Sequence, residues 1–341
     1  MSLAVRASVL VALSSAACWG DAPVTADAGP TIDVTVVEPD IFRDCRGRPF
    51  TPAPDESWLH ITTEAIVLTG DANHSAQDVI AVPSAPRSLP GKFTYGLASK
   101  DLEDEMIRVW LDDCDGWRDL GDHLTDSDGR IAVHAPTELG PGVYEARFQV
   151  LGDQSTTTSF LWVLPAGTKI VVTDIDGTLT ESDAELFYQT LDGTHVPVAY
   201  PGAVDLTLSH VSIGYVVVYL TGRPYWLTDK TRTWLTDLGF AAGPVHVADS
   251  NADILPTDDS VGAYKLAWLE GLAAAGYVID FAYGNATTDI YAYMGAGIPA
   301  DHVWIIGTNA GIDGTNPVTA DWSPRATEVR GLPLVVQPFD W

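Results

Sequence analysis

The sequence predicts a mixed α/β protein in which a β-sandwich domain precedes a domain built on a parallel β-sheet. Between about Glu56 and Pro165, short runs of alternating polar and apolar residues recur, with turn residues between them. This spacing is typical of an antiparallel sandwich with an immunoglobulin-like architecture. After Pro165, uniformly apolar strands alternate with helical segments, which indicates a parallel sheet covered by helices on both faces.

The composition of the 341-residue chain is that of a globular protein with room for two cores. Hydrophobic residues make up 46% of the chain and charged residues 19%, which is typical of folded domains. The 46 acidic residues outnumber the 18 basic ones, so the formal net charge is −28. Because phosphate contacts need Lys and Arg, this balance argues against binding to nucleic acid.

The first residues have the pattern of an export signal. An apolar run from Ala7 to Leu13, too short to span a bilayer, gives way to small residues. The segment SSAAC, which ends at Cys18, resembles the cleavage box of bacterial lipoproteins. We therefore predict a signal peptide at 1–17 and export to the bacterial periplasm or cell surface, either with Cys18 lipidated or as a secreted protein. Residues 18–54 are predicted to form a flexible tether.

Six runs predict the strands of the sandwich domain, which we place at residues 55–165. They read LHITTEAIVL, KFTYGLA, MIRVWLD, RIAVHAP, GVYEARFQVL and SFLWVLP. Once Cys18 is set aside, only Cys45 and Cys114 remain. In an oxidising compartment this pair predicts a single disulfide, the alternative being two free buried thiols.

The parallel domain is predicted at residues 166–341. Its strands read KIVVTD, YVVVYLT, YVIDFAYG and HVWIIG, and its helices read WLTDKTRTWLTDLG, VGAYKLAWLEGLAAAG and TTDIYAYMGAG. Function in such folds gathers at the carboxyl ends of the strands. Polar residues stand at or near those ends: Asp174 and Asp176 after the first strand, Thr221 after the second, Lys265 near a helix start, and Asn285 and Asp289 after the third.

These residue types suit phosphoryl transfer, which needs a nucleophile, a proton carrier and positive charge at the phosphate oxygens. The Asp174 carboxylate can attack phosphorus directly and form an aspartyl phosphate. Asp176 can protonate the leaving oxygen and later activate water. Gly177 permits a tight backbone turn, and Thr178 can cap that turn or contact the phosphate. Two carboxylates this close repel each other, and a magnesium ion, which takes oxygen ligands, relieves that conflict.

The motif DIDGTLT, followed in order by YLTGRP, YKLAWL and YGNATTD, resembles the four motifs of the haloacid dehalogenase phosphatase superfamily. The resemblance covers residues from Ala166 to about Gly307 and implies a Rossmann-like core. It also implies that magnesium is held by Asp174, by the backbone carbonyl of Asp176, and by Asn285 and Asp289.

The same resemblance assigns roles to the remaining site residues. Thr221 is expected to bind a phosphate oxygen through its hydroxyl, and Lys265 to neutralise phosphate and nucleophile together. Gly222 is expected beside the substrate, where Arg223 either steadies the loop or touches substrate. The intervals on either side of Thr221 are too short for a large cap domain, which implies an uncapped and open site.

A closer resemblance is to the catalytic region of the lipin family. It is carried by DIDGTLTESD, by YLTGRP with TDKTRTWL, by YKLAWL and by YGNATTDIYAYMGAGIP. Lipins are magnesium-dependent phosphatidate phosphatases that keep an Asn at the position of Asn285, and a preceding sandwich domain also fits that group. The strongly acidic chain departs from eukaryotic lipins, which reach anionic membranes through basic or amphipathic segments.

Three functions remain open. The first is an exported, magnesium-dependent phosphatase that converts phosphatidate or a similar lipid phosphate to diacylglycerol, at a membrane reached by a lipid anchor or by peripheral contact. The second is the same chemistry on a soluble phosphomonoester. The third is a non-catalytic phosphatidate-binding module, similar to the lipin-like domains of some phosphatidylinositol transfer proteins, which lack the nucleophilic Asp that this chain retains as Asp174.

Overall fold

The computed structural model describes residues 41–340, apart from residue 69 and residues 97–98, 183–194 and 249–257. The segment Pro39–Trp341 forms one compact unit. The predicted signal peptide, Cys18 and much of the predicted tether lie outside the described residues. So do parts of the two intervals that are predicted to lack a cap.

The first half of the described chain forms a β-sandwich with one short helix. Its strands are β1 (Arg43–Cys45), β2 (Ser75–Ala76), β3 (Val79–Ala81), β4 (Ser88–Lys92), β5 (Thr94–Tyr95), β6 (Lys100–Asp101), β7 (Met106–Asp112), β8 (Trp117–Leu124), β9 (Arg130–His134), β10 (Gly142–Val150) and β11 (Thr156–Val163), and its helix is α1 (Thr63–Val67). One sheet has the order β3-β11-β10-β7-β8 with β1 beside β10, the facing sheet has the order β2-β4-β9, and β5 pairs with β6. Buried side chains such as Ile107, Phe148 and Val133 form the core of this domain.

The second half forms a six-stranded sheet with five helices in the part that the structure describes. The strands are β12 (Lys169–Thr173), β13 (Val216–Pro224), β14 (Val245–Ala248), β15 (Val278–Gly284), β16 (Val303–Ile306) and β17 (Asn316–Val318). The helices are α2 (Ala203–Ser212), α3 (Thr228–Asp237), α4 (Asp258–Ala274), α5 (Thr287–Gly295) and α6 (Ser323–Arg330), with 3₁₀ turns at Tyr225–Leu227, Ala300–His302, Gly307–Asn309 and Ile312–Gly314. The strand order is β14-β13-β12-β15-β16-β17, and every pairing is parallel.

Both faces of the parallel sheet are buried, as its uniformly apolar strands predict. Ile170 and Val172 of β12 share a core with residues of α4 and α5. Val171, between them, belongs to the opposite core, with residues of α2, α3 and α6. Successive side chains of a strand point to opposite faces, so a strand buried on both sides must be apolar throughout. The protein is therefore mixed α/β, with a sandwich followed by a parallel sheet.

The prediction of a strand for LHITTEAIVL is wrong, because Thr63–Val67 form helix α1. The buried carboxylate of Glu105 accepts hydrogen bonds from the backbone N–H of Leu59 at 2.9 Å and from the hydroxyl of Thr63 at 2.5 Å. These donors are bound to a carboxylate from another part of the chain instead of to a neighbouring strand. Tertiary contacts thus override the β-propensity of this run.

The prediction that Lys265 lies near the start of its helix is wrong. Helix α4 begins at Asp258 and has 17 residues, so Lys265 stands in its middle. The apolar period starts only at Val261, and the polar residues before it continue the same helix. Hydrophobic periodicity cannot reveal such an extension.

A disulfide joins Cys45 and Cys114, whose Cα atoms are 4.7 Å apart and whose sequence separation is 69. Cys45 ends β1, and Cys114 lies in the turn between β7 and β8. The bond therefore ties the first described strand to the far end of the sandwich sheet.

Candidate functional site

The candidate site residues lie at the carboxyl edge of the parallel sheet, in two hydrogen-bonded clusters. Asp174 directly follows β12, Asn285 directly follows β15, and Asp289 stands in the first turn of α5. The backbone N–H of Asp174 donates to the carbonyl of Tyr283 in β15, which brings the ends of these two strands together. This is the edge at which open parallel sheets hold ligands.

The first cluster is centred on the buried ammonium of Lys265. Its Nζ lies 2.7 Å from Asp174 Oδ1 and 2.7 Å from Asp289 Oδ1. The other oxygen of Asp289 accepts the backbone N–H groups of Asn285 and Ala286 at 3.0 and 3.1 Å. Helix α4 on one face of the sheet thus supplies the cation for two carboxylates at its edge.

Burial and mutual charge determine the protonation of this cluster. Burial raises the pKa of Asp174 to about 7, with Asp289 and Asp176 adding to the rise and Lys265 opposing it. Burial by itself lowers the pKa of Lys265, but the charges of Asp174 and Asp289 outweigh that effect and raise it. The ammonium therefore stays charged at neutral pH, because it balances two carboxylates in a site shielded from water.

Thr178 connects this cluster to the end of β15. Its hydroxyl lies 3.1 Å from Asp174 Oδ2 and 3.2 Å from Asn285 Oδ1. Two oxygen atoms from different strand ends therefore converge on one position. Gly177, just before it, has a φ of +68°, a left-handed conformation that favours glycine.

The second cluster is centred on Arg223, whose side chain is fully buried. Its Nε and Nη2 lie 2.9 and 2.8 Å from Asp176 Oδ2 and Oδ1, a bidentate ion pair. Its Nη1 donates to Thr231 Oγ1 of α3 at 3.1 Å. The hydroxyl of Thr221 lies 3.4 Å from Asp176 Oδ2 and accepts the backbone N–H of Arg223. Both oxygens of the Asp176 carboxylate are therefore engaged by the Arg223 guanidinium.

The structure thus divides the predicted residues between the two clusters. Arg223, expected to steady a loop or touch substrate, is an internal partner of Asp176. Gly222 separates Thr221 from Arg223, and a side chain there would approach Val261 of α4 within 3.3 Å.

A polar cavity of about 280 Å³ lies beside the first cluster, where β12, β15 and β16 end. Asn285, Thr308 and Asn309 contribute amide and hydroxyl groups to its wall, and Glu181 contributes a carboxylate. None of the described residues that line it is Lys or Arg. An anion in this cavity would therefore gain little from the protein's own cations.

Two residues that support the site, Asn309 and Thr231, are not predicted from the sequence. Asn309 Nδ2 donates to the backbone carbonyl of Asn285 at 2.8 Å, and Thr231 accepts from Arg223. Asn309 follows β16, so the rule that function gathers at strand ends could have identified it. Thr231 lies inside a helix, where no local pattern distinguishes it from a surface residue.

The donor chemistry of the first cluster fits magnesium. In the described part of the chain, no group of three or more His, Cys, Asp or Glu side chains forms a metal site. However, Asp174 Oδ2 and the amide oxygen of Asn285 converge on the Thr178 hydroxyl, and oxygen atoms are the ligands that magnesium takes. When Asp174 is ionised, the three carboxylates of Asp174, Asp176 and Asp289 exceed the two cations of the clusters, Lys265 and Arg223, by one charge.

Two family models cover most of the described chain. Residues 171–307 match the LNS2 domain of PITM 1-3. The two hydrogen-bonded clusters lie within these matched residues. Residues 72–163 match the beta-sandwich domain of PITM 1-3. The order of the two matches, a beta-sandwich domain followed by an LNS2 domain, agrees with the order of the two folds in the structure.

Most of the relatives reported for the chain are named as membrane-associated phosphatidylinositol transfer proteins. Human membrane-associated phosphatidylinositol transfer protein 3 is 34% identical over 261 residues, 74% of this chain and 25% of that protein. Protein retinal degeneration B from Drosophila melanogaster is 32% identical over 261 residues, 74% of this chain and 20% of that protein. The chain therefore spans a quarter or less of these relatives' length.

Likeness to solved structures is weak. A carbohydrate acetylesterase from Xanthomonas citri is 10% identical with a TM-score of 0.25, over 79% of this chain and 66% of that chain. A likeness of this size carries no argument about fold or function.

The predicted export to a bacterial periplasm or cell surface is wrong, because the relatives are membrane-associated animal proteins from human, mouse and rat. The apolar run from Ala7 to Leu13 is short, and hydrophobicity over so few residues does not specify a compartment. None of the helices in the described ranges is long and apolar enough to cross a bilayer.

Proposed function

We propose that the LNS2 domain binds the monoester phosphate of a phosphatidate-type phospholipid without hydrolysing it. The names of the phosphatidylinositol transfer proteins among the relatives support a lipid ligand. The cavity of about 280 Å³ beside Asn285 is the site that we assign to the phosphate.

One observation carries the proposal for binding over catalysis, namely the bidentate ion pair between Asp176 and Arg223. Hydrolysis through an aspartyl phosphate needs a proton carrier that both gives and takes a proton. In this ion pair two guanidinium N–H groups occupy both carboxylate oxygens of Asp176, so neither oxygen faces a substrate as a proton carrier must. The ion pair is buried on the arginine side, so solvent screens it weakly.

A phosphate bound in this cavity needs a cation beside it, because none of the described lining residues is Lys or Arg. The residues that would hold magnesium are Asp174, Asn285 and the backbone of Asp176. Magnesium bound there would supply the positive charge that the cavity wall lacks. Lys265 holds Asp174 and Asp289 in place, and the amide of Asn309 orients the backbone of Asn285.

A second candidate is hydrolysis of the same phosphate, and the position of Asp174 favours it. Its carboxylate stands at the end of β12, beside the hydroxyl of Thr178. A carboxylate at this place can act as the nucleophile: it forms a bond to phosphorus while the bond from phosphorus to the lipid oxygen breaks, and Asp176 protonates that oxygen. Water then cleaves the aspartyl phosphate and releases phosphate. This candidate requires Asp176 to part from Arg223 when substrate binds.

Vesicle binding and phosphate release, measured on the same samples, test the proposal. The full chain is mixed with phosphatidylcholine vesicles that contain either phosphatidate or phosphatidylserine, with magnesium or with EDTA. We expect about tenfold tighter binding to phosphatidate than to phosphatidylserine, a difference of about 1.4 kcal/mol. We also expect EDTA to abolish this preference, and no phosphate to be released.

The variant Asp174→Asn separates the two candidates, and Asp205→Asn, which changes an exposed Asp of α2, is its matched control. Phosphate release that Asp174→Asn abolishes and Asp205→Asn retains would establish the second candidate. Equal binding to phosphatidate and phosphatidylserine, with no release, would rule out both.

A further inference from the structure

We infer that the sandwich domain positions the Asp176–Arg223 ion pair, acting through Gln77 and Asp78, which hold strand β14 and helix α3. Asp78 and its partner Arg232 are positioning residues in this scheme. The inference concerns the geometry of the site and does not depend on which ligand the site takes.

The first step is the contact between the sandwich and the edge of the parallel sheet. Strand β14 is the terminal strand of that sheet, and a terminal strand presents unpaired backbone groups. The side-chain amide of Gln77 donates to the carbonyl of Val247 at 2.8 Å and accepts its N–H at 3.2 Å. Asp78 Oδ2 accepts the N–H of Val245 at 2.8 Å. Two side chains of the sandwich thus take the place of a neighbouring strand.

The second step is the ion pair between Asp78 and Arg232 of α3. Asp78 Oδ1 lies 2.7 Å from Arg232 Nη2, and the side chain of Asp78 is only 1% exposed. The same guanidinium donates to the carbonyls of Ala76 and Thr158, at 2.8 and 2.6 Å. A carboxylate buried to this degree is costly without its partner, so α3 is fastened to the sandwich at Arg232.

The third step leads from α3 to the site. Thr231, next to Arg232, accepts a hydrogen bond from Arg223 Nη1 at 3.1 Å. At the start of α3, Thr228 donates to the carbonyl of Tyr225 at 2.6 Å, and its hydroxyl lies 2.9 Å from that of Ser75 in β2. The loop that carries Arg223 is therefore held by a helix that the sandwich holds in turn.

These contacts form one continuous path from Asp78 through Arg232 and Thr231 to Arg223 and then to Asp176. A guanidinium can bind a carboxylate in bidentate fashion only when the two groups are coplanar and both N–H groups lie within hydrogen-bond distance of the carboxylate oxygens. Loss of the sandwich contact should therefore loosen the ion pair at the site, although Asp78 and Asp176 belong to different domains.

Hydrogen exchange of the Arg223 Nε–H group measures this coupling directly, because that group donates to Asp176. The full chain is labelled with ¹⁵N-arginine, and the Arg223 signal is assigned by its loss in Arg223→Lys. We expect Arg232→Met to speed exchange of this proton about tenfold. Arg232→Lys keeps the charge beside Asp78 but not the planar fork, so we expect a smaller increase.

General destabilisation is excluded with Val109→Ala, which removes two methyl groups from the fully buried core of the sandwich and leaves the path intact. We expect this variant to change the Arg223 exchange rate by less than about twofold. If Arg232→Met does not fold, two milder variants test the inference instead. These are Arg232→Lys and Thr231→Val, and the latter removes only the acceptor of Arg223 Nη1. Unchanged Arg223 exchange in both of these folded variants would overturn the inference, as would equal effects in Val109→Ala.

Discussion

Replacement of Lys265 by Met is expected to lower the free energy of unfolding at pH 7 by about 3–5 kcal/mol, the usual cost of removing one partner of a buried charge cluster. The ammonium is 2.7 Å from both Asp174 and Asp289, and all three side chains are at most 6% exposed. Without it, two carboxylates face each other in a site shielded from water. Urea denaturation followed by circular dichroism measures the change.

The matched control is Lys169→Met, at the start of β12. Lys169 is 42% exposed and pairs with Asp280 at 3.5 Å, so its loss should cost at most about 1 kcal/mol. The defect of Lys265→Met should also shrink at pH 5, where protonation of Asp174, whose pKa burial raises to about 7, removes one of the two facing charges. Similar losses in both variants, or a defect that is the same at pH 5 and pH 7, would contradict this account of the site.

Acid is expected to destabilise the protein through His74 and His210, before most carboxylates are protonated. Burial lowers the pKa of His74 to about 4. Burial, with a smaller effect of Arg325, lowers the pKa of His210 to about 3. A histidine in the unfolded chain has a pKa near 6.5. Below that pH the two histidines bind protons in the unfolded chain but stay neutral in the native chain, so acid favours unfolding. Stability is therefore fully present above about pH 6.5 and falls towards pH 4, by about 2–3 kcal/mol per histidine at pH 4.5.

The contacts of His74 agree with a neutral ring. Its Nδ1 accepts the backbone N–H of Thr94 at 3.3 Å, and its Nε2 lies 2.8 Å from the hydroxyl of Ser155.

Urea denaturation at pH 7 and pH 4.5 of the native chain and of His210→Gln tests the prediction. The variant should lose about 2–3 kcal/mol less than the native chain between these pH values, and parallel losses would disprove the role of His210.

Much of the site follows from local sequence patterns. The apolar run KIVVT predicts β12, and the polar residues that end it must then lie at the carboxyl edge of a parallel sheet. The same logic places Asn285 after β15, and the structure brings its amide oxygen and Asp174 to one hydroxyl. These inferences succeed because strand ends and residue types are local properties of the chain.

Other features could not be predicted in this way. LHITTEAIVL has the composition of a strand, yet Thr63–Val67 form a helix. The carboxylate of Glu105, 46 residues after Leu59 along the chain, accepts the backbone N–H of Leu59. Strand β8, WRDLGDHL, carries too many polar residues to be recognised, and it forms because β7 provides a partner. In both cases a distant partner outweighs local propensity.

By itself, the sequence determined that this protein has a sandwich followed by a parallel sheet, and that Asp174, Lys265, Asn285 and Asp289 gather at one edge of the sheet. Only the tertiary structure decided what Asp176 does there. Its partner Arg223 is 47 residues away along the chain and is oriented by a helix that the sandwich holds. Hydrophobic periodicity indicates which face of a helix or strand is apolar. A bidentate ion pair instead depends on the distance between the guanidinium and the carboxylate and on their being coplanar, and this geometry exists only once both domains are packed.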